Sequence, residues 1–373
     1  MATSKIIAIA AGGTAGHINP ALALATELRS RGYQVVFFGE PDRLEATLVP
    51  EAGFEFVPVE TKGFDRSRPW TLIQALVVMG QAQSTIKHYC QDNHLDIAAA
   101  VGFGAYVELP LLRCCLKEHI PCAIHEQNSV PGLANKYLSG KVDRVCVSFP
   151  AAKAAFQSRV KDPAVLQVTG NPVRQKVLEV SRDEARKSLD IPEDAQMVLV
   201  FGGSLGAQRI NQAMVEAAHE LLQRPQVYII HAAGPRDFDQ IEAEAEKLRL
   251  DRERYRLYPY IKDMAEALNS ADLVVSRAGA SSVAEIAACG LPSVLIPYPF
   301  ATADHQTTNA RWLEDAGAAL IVPDEQVDHD SMVKLVSQML NDTEKLQTMA
   351  GNAQAMEQGQ AAKLLADQVE SMV

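Results

Sequence analysis

Two glycine-rich segments of the same kind constrain the fold of this 373-residue chain more than any other feature. Gly12-Gly13-Thr14-Ala15-Gly16 and Gly202-Gly203-Ser204-Leu205-Gly206 lie 190 residues apart, and each follows a short apolar stretch and precedes an amphipathic one. Glycine permits the positive φ of a tight strand-to-helix turn, and unpaired N–H groups at the start of a helix attract an anion. The repetition therefore predicts two domains of the Rossmann type.

Short apolar strands alternate with helical stretches along the whole chain. This alternation is typical of a parallel sheet with helices on both faces, so the sequence predicts an α/β fold with two doubly wound domains that face each other across a cleft. The turn-rich segment 169–173 marks the predicted boundary. Residues 1–172 would then form the first domain and residues 173–354 the second, and a C-terminal helix over 355–373 would pack back on the first.

Composition narrows the class of protein. Hydrophobic residues make up 47% of the chain, which is enough to give each of two domains its own core. No apolar run approaches the roughly 18 to 20 residues of a membrane span, and the first residues lack the cleavage region of a signal peptide, so we expect a cytosolic protein. The six cysteines show no CxxC or zinc-site spacing, which predicts reduced thiols and no metal.

Negative charge is concentrated in the second half of the chain. The net charge is −11, of which the first 150 residues carry −1 and the remainder −10. This balance argues against nucleic-acid binding, while it leaves the first half able to approach an anionic membrane. The segment 70–79 is more apolar than one buried helix face requires, and Lys62, Arg66, Arg68 and Lys87 flank it. Both a membrane-facing helix and an ordinary buried helix fit this pattern.

Two polar groups in the first half could carry chemistry. His17 directly follows the first glycine loop, where an imidazole can accept a proton from a hydroxyl nucleophile near neutral pH. Its ring could equally cap a carbonyl of the loop. His125-Glu126-Gln127-Asn128 follows another apolar strand. These side chains could bind sugar hydroxyls, or they could belong to a surface loop.

In the second half, the segment Arg277–Glu285 follows a strand and enters a helix. Ser282 and Glu285 have the spacing of a helix capping box. Alternatively, the helix start binds phosphate oxygens and Glu285 accepts from ribose hydroxyls. Polar residues 304–309 begin another helix. Asp237-Phe238-Asp239 could hold a divalent cation, but acidic residues are also favoured in the first turn of a helix, and we favour that structural interpretation.

Five motifs occur in an order that resembles the MurG family of glycosyltransferases over essentially the whole chain. They are Gly12 to His17, His125 to Asn128 with Gly132 to Asn135, Gly170 to Arg174, Gly202 to Ala207, and Asp304 to Gln306. The resemblance implies the GT-B architecture and an inverting, metal-independent transfer of N-acetylglucosamine from UDP-N-acetylglucosamine to lipid I, without a cofactor, to form lipid II. It also implies a protein on the inner face of the cell membrane, with cell-wall enzymes as partners.

The resemblance also implies roles for individual residues. His17 would be the catalytic base and Glu126 the reserve. The substrate contacts would be Thr14, Ala15, Gly16, Asn128, Arg174, Ser204, Ile261, Ala280, Ser281, Ser282, Val283, Ala284, Glu285 and Gln306. The chain departs from the family at Gly104-Ala105-Tyr106, where Gly-Gly-Tyr is usual. A methyl group disfavours positive φ, so we expect this segment to form a poorer phosphate cradle.

Three other functions remain open from the sequence. A different GT-B enzyme acting on another lipid or a small molecule would share the donor half. A nicotinamide-dependent dehydrogenase would require G-x-G-x-x-G, and the first loop lacks that spacing. A binding module without catalytic activity would bind the nucleotide sugar and show no turnover.

Overall fold

The computed structural model describes residues 5–63, 70–203, 206–356 and 358–373. The chain divides into two compact units, the first made of Met1–Arg174 with Gln360–Val373 and the second of Gln175–Gly359. Each unit contains a parallel sheet covered by helices, which confirms the predicted fold class of two Rossmann-like domains. Three residues singled out in the sequence, Ser204, Arg66 and Arg68, lie outside the described residues.

The first unit is built on a sheet of seven strands among the residues that the structure describes, with the order β3-β2-β1-β4-β5-β6-β7. All neighbouring strands run parallel. The strands are β1 Ile6–Ala10, β2 Gln34–Gly39, β3 Glu55–Pro58, β4 Ile97–Gly102, β5 Cys122–Glu126, β6 Arg144–Val147 and β7 Leu166–Val168. The helices that precede the second unit are α1 Ala15–Ser30, α2 Glu45–Glu51, α3 Thr71–Asp92, α4 Glu108–Lys117, α5 Leu133–Leu138 and α6 Pro150–Gln157.

Strand β1 shows why this sheet is buried on both faces. All five of its residues are buried, as a central parallel strand between two helical layers requires. Ile7 and Ile9 belong to the core on one face, and Ala8 and Ala10 belong to the core on the other. The alternation follows from the period of two in an extended strand.

The second unit contains, within its described residues, a parallel sheet of six strands in the order β10-β9-β8-β11-β12-β13. Its strands are β8 Gln196–Phe201, β9 Val227–Ala232, β10 Tyr255–Tyr258, β11 Leu273–Ser276, β12 Ser293–Leu295 and β13 Ala319–Ile321. Its helices are α7 Gln175–Glu179, α8 Arg182–Ser188, α9 Gln208–Leu221, α10 Phe238–Lys247, α11 Met264–Ser270, α12 Ala280–Ala288, α13 His305–Asp315, α14 His329–Asn341 and α15 Thr343–Gln354.

The last helix, α16 (Ala361–Glu370), belongs to the first unit. Arg31 at the end of α1 forms ion pairs with Asp367 at 2.6 Å and Glu370 at 2.5 Å. Leu365 and Val369 join the core that contains Ile7 and Ile9. The helix expected over 355–373 corresponds to α16, which begins at Ala361, whereas α15 belongs to the second unit.

Each sheet reverses its strand order at one point, and the candidate residues cluster there. In the first sheet, the loops after β1, β4 and β5 leave from three neighbouring strands. In the second, the loops after β8, β11 and β12 do the same. Ligands of open α/β sheets bind at such a point, beyond the carboxyl ends of the strands.

Candidate active site

His17 lies in the first turn of α1, immediately after the first glycine loop. Its Nδ1 is 3.2 Å from the hydroxyl oxygen of Thr14, and the ring also forms a hydrogen bond with the main chain of Gly12. Burial lowers the pKa of His17 below its usual value, and the Gly12 hydrogen bond only partly opposes this. The ring is therefore anchored to the loop, as the capping alternative expected, and it is neutral near pH 7, as a base must be.

Beneath the first loop lies Glu45, a buried residue of α2 for which the sequence pattern indicated no role. Its Oε2 accepts the N–H of Gly13 at 3.2 Å, and its Oε1 accepts the N–H of Glu40 at 3.2 Å. A side chain at Gly12 would collide with this carboxylate. Gly12 is thus required by the close approach of Glu45, and the N–H of Gly13 is already bonded within the protein. The first turn of α1, where Ala15 and Gly16 lie, is the part of the loop placed to meet an anion.

The loop after β4 corrects the expectation for Ala105. Gly104 has φ +82° and Ala105 has φ +65°, so both residues are left-handed despite the methyl group. For alanine this conformation costs roughly 1–2 kcal/mol, which the surrounding contacts must offset. A Cβ on Gly104 would lie 3.5 Å from Nε2 of His17. This loop therefore packs directly against the imidazole.

Glu108, at the start of α4, holds the same loop from inside. Its Oε2 accepts the N–H of Gly104 at 2.6 Å, and the side chain is fully buried. Burial raises the pKa of Glu108 to about 8, while the Gly104 hydrogen bond acts in the opposite direction and Glu126 adds to the rise. The carboxyl is accordingly neutral at pH 7.

His125 and Glu126 lie in strand β5, and the surface-loop alternative for this motif is wrong. His125, Glu126 and Gln127 are all buried. Nε2 of His125 donates to the carbonyl of Gly170 at 2.9 Å, and burial lowers the pKa of His125 to about 4. This ring is neutral and ties β5 to the segment that follows β7.

Glu126 organises the loop that carries Asn128. Its Oε1 accepts the N–H of Asn128 at 3.0 Å, and its Oε2 accepts the N–H of Gly132 at 3.0 Å and Nδ2 of Asn135 at 2.9 Å. Burial raises the pKa of Glu126, and these hydrogen bonds oppose the rise. Both oxygens are bonded to the protein, so the geometry favours a positioning role for Glu126 over that of the reserve base. Asn128 itself is half-buried.

In the second unit, the capping-box alternative for Ser282 and Glu285 does not form. Helix α12 begins at Ala280 with Gly279 as its N-cap, and no side chain caps it. Ser282 and Glu285 lie inside the helix because it starts at Ala280, before the N-cap position that a capping box would require at Ser282. Ser281 and Ser282 are half-buried and Glu285 is 9% exposed. Among the other predicted contacts in this helix, Ala280, Val283 and Ala284 are buried, and the last two expose 0% and 1% of their surface.

Gln306 is fixed in one orientation by two main-chain donors. Its Oε1 accepts the N–H of Ala278 at 3.2 Å and the N–H of Tyr298 at 2.9 Å. Helix α13 starts at His305, so Gln306 lies in its first turn and not before it. Nε2 has no hydrogen-bond partner among the described residues, which leaves an amide donor for a ligand.

Arg277 is a second functional candidate that sequence reasoning did not assign. Its NH1 donates to the carbonyls of Ile296 and Pro297, both at 3.1 Å, and forms an ion pair with Asp324 at 2.7 Å. The guanidinium carbon also lies 5.5 Å from the ring centre of Tyr298. Arg277 thus supports the loop that leads to Gln306. A cation at the end of a buried strand is the signal that could have identified it.

The remaining predicted positions lie outside the loops described above. Ile261 is half-buried between β10 and α11, and Arg174 is half-buried at the end of the first unit's main segment. Asp237 accepts a hydrogen bond from Nδ2 of Asn211 at 2.8 Å and precedes α10. This supports the structural interpretation of the Asp237-Phe238-Asp239 motif. No cluster suited to a metal ion occurs in the part of the chain that the structure describes.

Known proteins match both units. Residues 7–147 match the glycosyltransferase family 28 N-terminal domain and residues 197–369 the C-terminal domain. Enzymes named UDP-N-acetylglucosamine–N-acetylmuramyl-(pentapeptide) pyrophosphoryl-undecaprenol N-acetylglucosamine transferase are 37% identical in Halothermothrix orenii, covering 96% of both chains, and 40% identical in Acetivibrio thermocellus, covering 94% of both. The crystal structure of Acinetobacter baumannii MurG matches with a TM-score of 0.74 at 28% identity, covering 98% of this chain and 99% of that one. The chain therefore belongs to glycosyltransferase family 28 and, within it, to the MurG family.

Proposed function

We propose that this chain transfers N-acetylglucosamine from UDP-N-acetylglucosamine to the N-acetylmuramyl-pentapeptide pyrophosphoryl-undecaprenol acceptor, lipid I, and so forms lipid II. Relatives named for this reaction match nearly the full length of the chain, and nothing favours another GT-B acceptor. The observation that carries the proposal is the placement of His17, which Gly12 and Thr14 hold where the first sheet reverses its strand order.

The reaction would proceed in one inverting step. The 4-hydroxyl oxygen of the acceptor sugar forms a bond to the anomeric carbon, the bond from that carbon to the UDP oxygen breaks, and the hydroxyl proton passes to His17. Thr14, Ala15 and Gly16 of the first glycine loop would contact the donor. The partial positive charge at the start of α1 would attract a diphosphate.

The second unit would bind the donor. Negative charge grows on the UDP diphosphate as the bond breaks, and the positive end of the α12 dipole at Ser281 and Ser282 would stabilise it. Glu285 would accept from the ribose hydroxyls, Ile261 would contact the uracil, and the amide nitrogen of Gln306 would donate to the sugar. Arg174, Ser204 and Asn128 complete the predicted set of donor contacts.

Helix α3 would bring the first unit to the membrane surface that holds the acceptor. Its buried side chains include the small Ala75 and Ala82, whereas Trp70 and Ile73 are 63% and 68% exposed. Leu76 and Val77 are exposed as well. The buried-helix alternative for segment 70–79 is therefore wrong for these side chains. No helix in the described ranges is long and apolar enough to cross a bilayer.

Cations surround this apolar face. Lys62 donates to Oε1 of Gln74 at 3.0 Å, Lys117 donates to Oε1 of Gln83 at 3.2 Å, and Arg113 lies against Sδ of Met79. Lys87 is exposed on the same helix. Each cation near an anionic surface contributes about 1 kcal/mol of attraction. This combination supports a peripheral location on the inner face of the cell membrane.

An assay with labelled UDP-N-acetylglucosamine and a lipid I analogue, run with and without chelator, tests the proposal. We expect labelled lipid II and free UDP in equal amounts, at a rate that the chelator leaves unchanged. A protein that binds the donor but forms no disaccharide would be the module without catalytic activity, and the proposal would be wrong. Turnover with a small-molecule acceptor alone would point to a different GT-B enzyme.

A further inference from the structure

Three buried glutamates lie beneath the three loops of the first unit's site. Glu45 accepts the N–H of Gly13, Glu108 accepts that of Gly104, and Glu126 accepts those of Asn128 and Gly132. The three side chains expose 1%, 0% and 3% of their surface. Glu45 and Glu126 use both carboxyl oxygens as acceptors, whereas Oε1 of Glu108 has no partner among the described residues.

We propose that Glu108 is a positioning residue for the transfer, which acts by holding the left-handed Gly104–Ala105 turn against the ring of His17. This inference rests on the proposed function, since it assigns Glu108 to the acceptor side of that reaction.

The contacts around the turn form a continuous path from Glu108 to the base. The carboxyl of Glu108 bonds to the N–H of Gly104, and the α-carbon of Gly104 faces Nε2 of His17 closely enough that an added methyl would lie 3.5 Å away. Asn135 approaches the same point, with its Nδ2 at 3.7 Å from that methyl position. A shift of the Gly104–Ala105 turn would therefore change the position of the His17 imidazole ring.

The absence of a side chain at Gly102 leaves space for the Glu108 carboxyl. A Cβ at Gly102, the last residue of β4, would lie 2.5 Å from Oε2 of Glu108. A fully buried acid with one main-chain partner opposes folding, whereas an apolar side chain of equal length would fill the space without that cost. Burial keeps the acid neutral, so it can accept from the loop without placing a charge beside an anionic acceptor.

Two substitutions of similar size separate this role from packing. Glu108→Met fills the space and removes the acceptor, and Glu108→Gln keeps an oxygen for the N–H of Gly104. We expect Glu108→Met to lower kcat/KM for the lipid I analogue about tenfold or more, with the Kd for UDP-N-acetylglucosamine within about twofold of wild type, and Glu108→Gln to restore most of the loss. Glu118→Met, at the exposed far end of α4, is the matched control and should behave as wild type.

A second readout does not depend on turnover. In the full-length protein, NMR of ¹⁵N-glycine and of the histidine rings should show faster amide exchange at Gly104 and a changed titration of His17 in Glu108→Met, but not in Glu108→Gln. If Glu108→Met does not fold, Glu108→Ala, which admits water to the N–H of Gly104, takes its place. The inference would be overturned if Glu108→Met, or Glu108→Ala in its place, left both the kcat/KM for the acceptor and the titration of His17 unchanged. It would also be overturned if Glu108→Gln and Glu108→Met lowered that kcat/KM equally. A wild type that shows no transfer to lipid I would refute the proposed function, while the NMR comparison would still decide the role of Glu108.

Discussion

Oε2 of Glu126 accepts a hydrogen bond from Nδ2 of Asn135 at 2.9 Å, where both side chains are almost completely buried. Nδ2 of Asn135 also lies 3.2 Å from the carbonyl oxygen of His125. One amide therefore joins helix α5 to strand β5 and to the loop that carries Asn128. The site in the first unit depends on this pair because neither the carboxylate nor the carbonyl has solvent to replace the lost donor.

Replacing Asn135 with leucine should therefore damage both stability and the acceptor site. Leucine has a similar size and no donor, so the buried oxygens lose their partner, and we expect the free energy of unfolding to fall by about 1–3 kcal/mol. Denaturant unfolding measures this loss, and kcat/KM for the acceptor should fall with it. Asn341→Leu, on the exposed end of α14, should change stability by no more than about 0.5 kcal/mol. Equal stability of the two variants would show that the pair is unimportant.

The role of His17 predicts a specific pH dependence. A base must be deprotonated to act, so kcat/KM should fall as the pH drops through the pKa of His17, which lies below its usual value. His17→Ala should lose a factor on the order of 10²–10⁴ in kcat and retain its donor affinity. The remaining activity of His17→Ala should no longer fall at acidic pH. Glu126→Gln should still lose activity at acidic pH, even where its rate is reduced. If instead His17→Ala kept this acidic loss and Glu126→Gln did not, Glu126 would be the base.

The architecture was predictable because it follows from local patterns. The apolar strands, the two glycine loops and the alternation of strands with helices depend on residues close together in sequence. The positions of His17 after the first glycine loop, His125 at a strand end and Gln306 at a helix start followed from the same patterns. Whether polar side chains there are buried was not predictable, because burial depends on distant segments. His125 is buried by its bond to Gly170, which lies 45 residues away.

The errors have particular physical causes. Ala105 adopts a left-handed conformation because the tertiary contacts of the turn override the local preference of alanine. Of the two alternatives for Ser282 and Glu285, the capping box does not form because helix α12 starts at Ala280, with Gly279 as its N-cap. Glu45 and Glu108 were missed because a glutamate near the start of a helix is ordinarily explained by the helix dipole. A glutamate among apolar residues, four positions after a turn glycine, is the signal that distinguishes Glu108.

Gln306 allows donor binding to be separated from stability. Gln306→Glu keeps oxygen acceptors for the N–H groups of Ala278 and Tyr298 but loses the amide donor, so we expect normal unfolding and a rise of about tenfold or more in the Kd for UDP-N-acetylglucosamine. Gln306→Leu loses the acceptors as well and should also be less stable by about 1–3 kcal/mol. Calorimetric titration and thermal unfolding report the two quantities. Unchanged donor affinity in Gln306→Glu would mean that its amide does not contact the sugar.

The exposed face of α3 predicts binding to anionic lipid. Changing Ile73, Leu76 and Val77 together to serine should reduce sedimentation with vesicles of anionic phospholipid at least about tenfold, because each apolar side chain inserted contributes on the order of 1.5–3 kcal/mol. High salt should weaken the binding of the wild type, since the surrounding cations are screened. Leu364→Ser, on a comparably exposed leucine of α16, is the control. Equal retention of the triple variant and this control would remove the support for docking through α3.

The raised pKa of Glu108 makes a prediction about stability whose sign is opposite to that of an ordinary surface carboxylate. Its pKa is about 8 in the folded protein and about 4.5 in the unfolded chain, so between these values the folded state binds the additional proton. Stability of the wild type relative to Glu108→Gln, which cannot ionise, should therefore fall as the pH rises, by about 1.4 kcal/mol per pH unit, and level off above pH 8. Unfolding measured at pH 5 and pH 8 should show the difference between the two proteins change by about 4 kcal/mol in favour of the glutamine variant. Glu118→Gln, exposed at the other end of α4, should show no such change. A difference that stays constant over this range would mean that Glu108 ionises normally in the folded protein, and that its bond to Gly104 is made by a carboxylate.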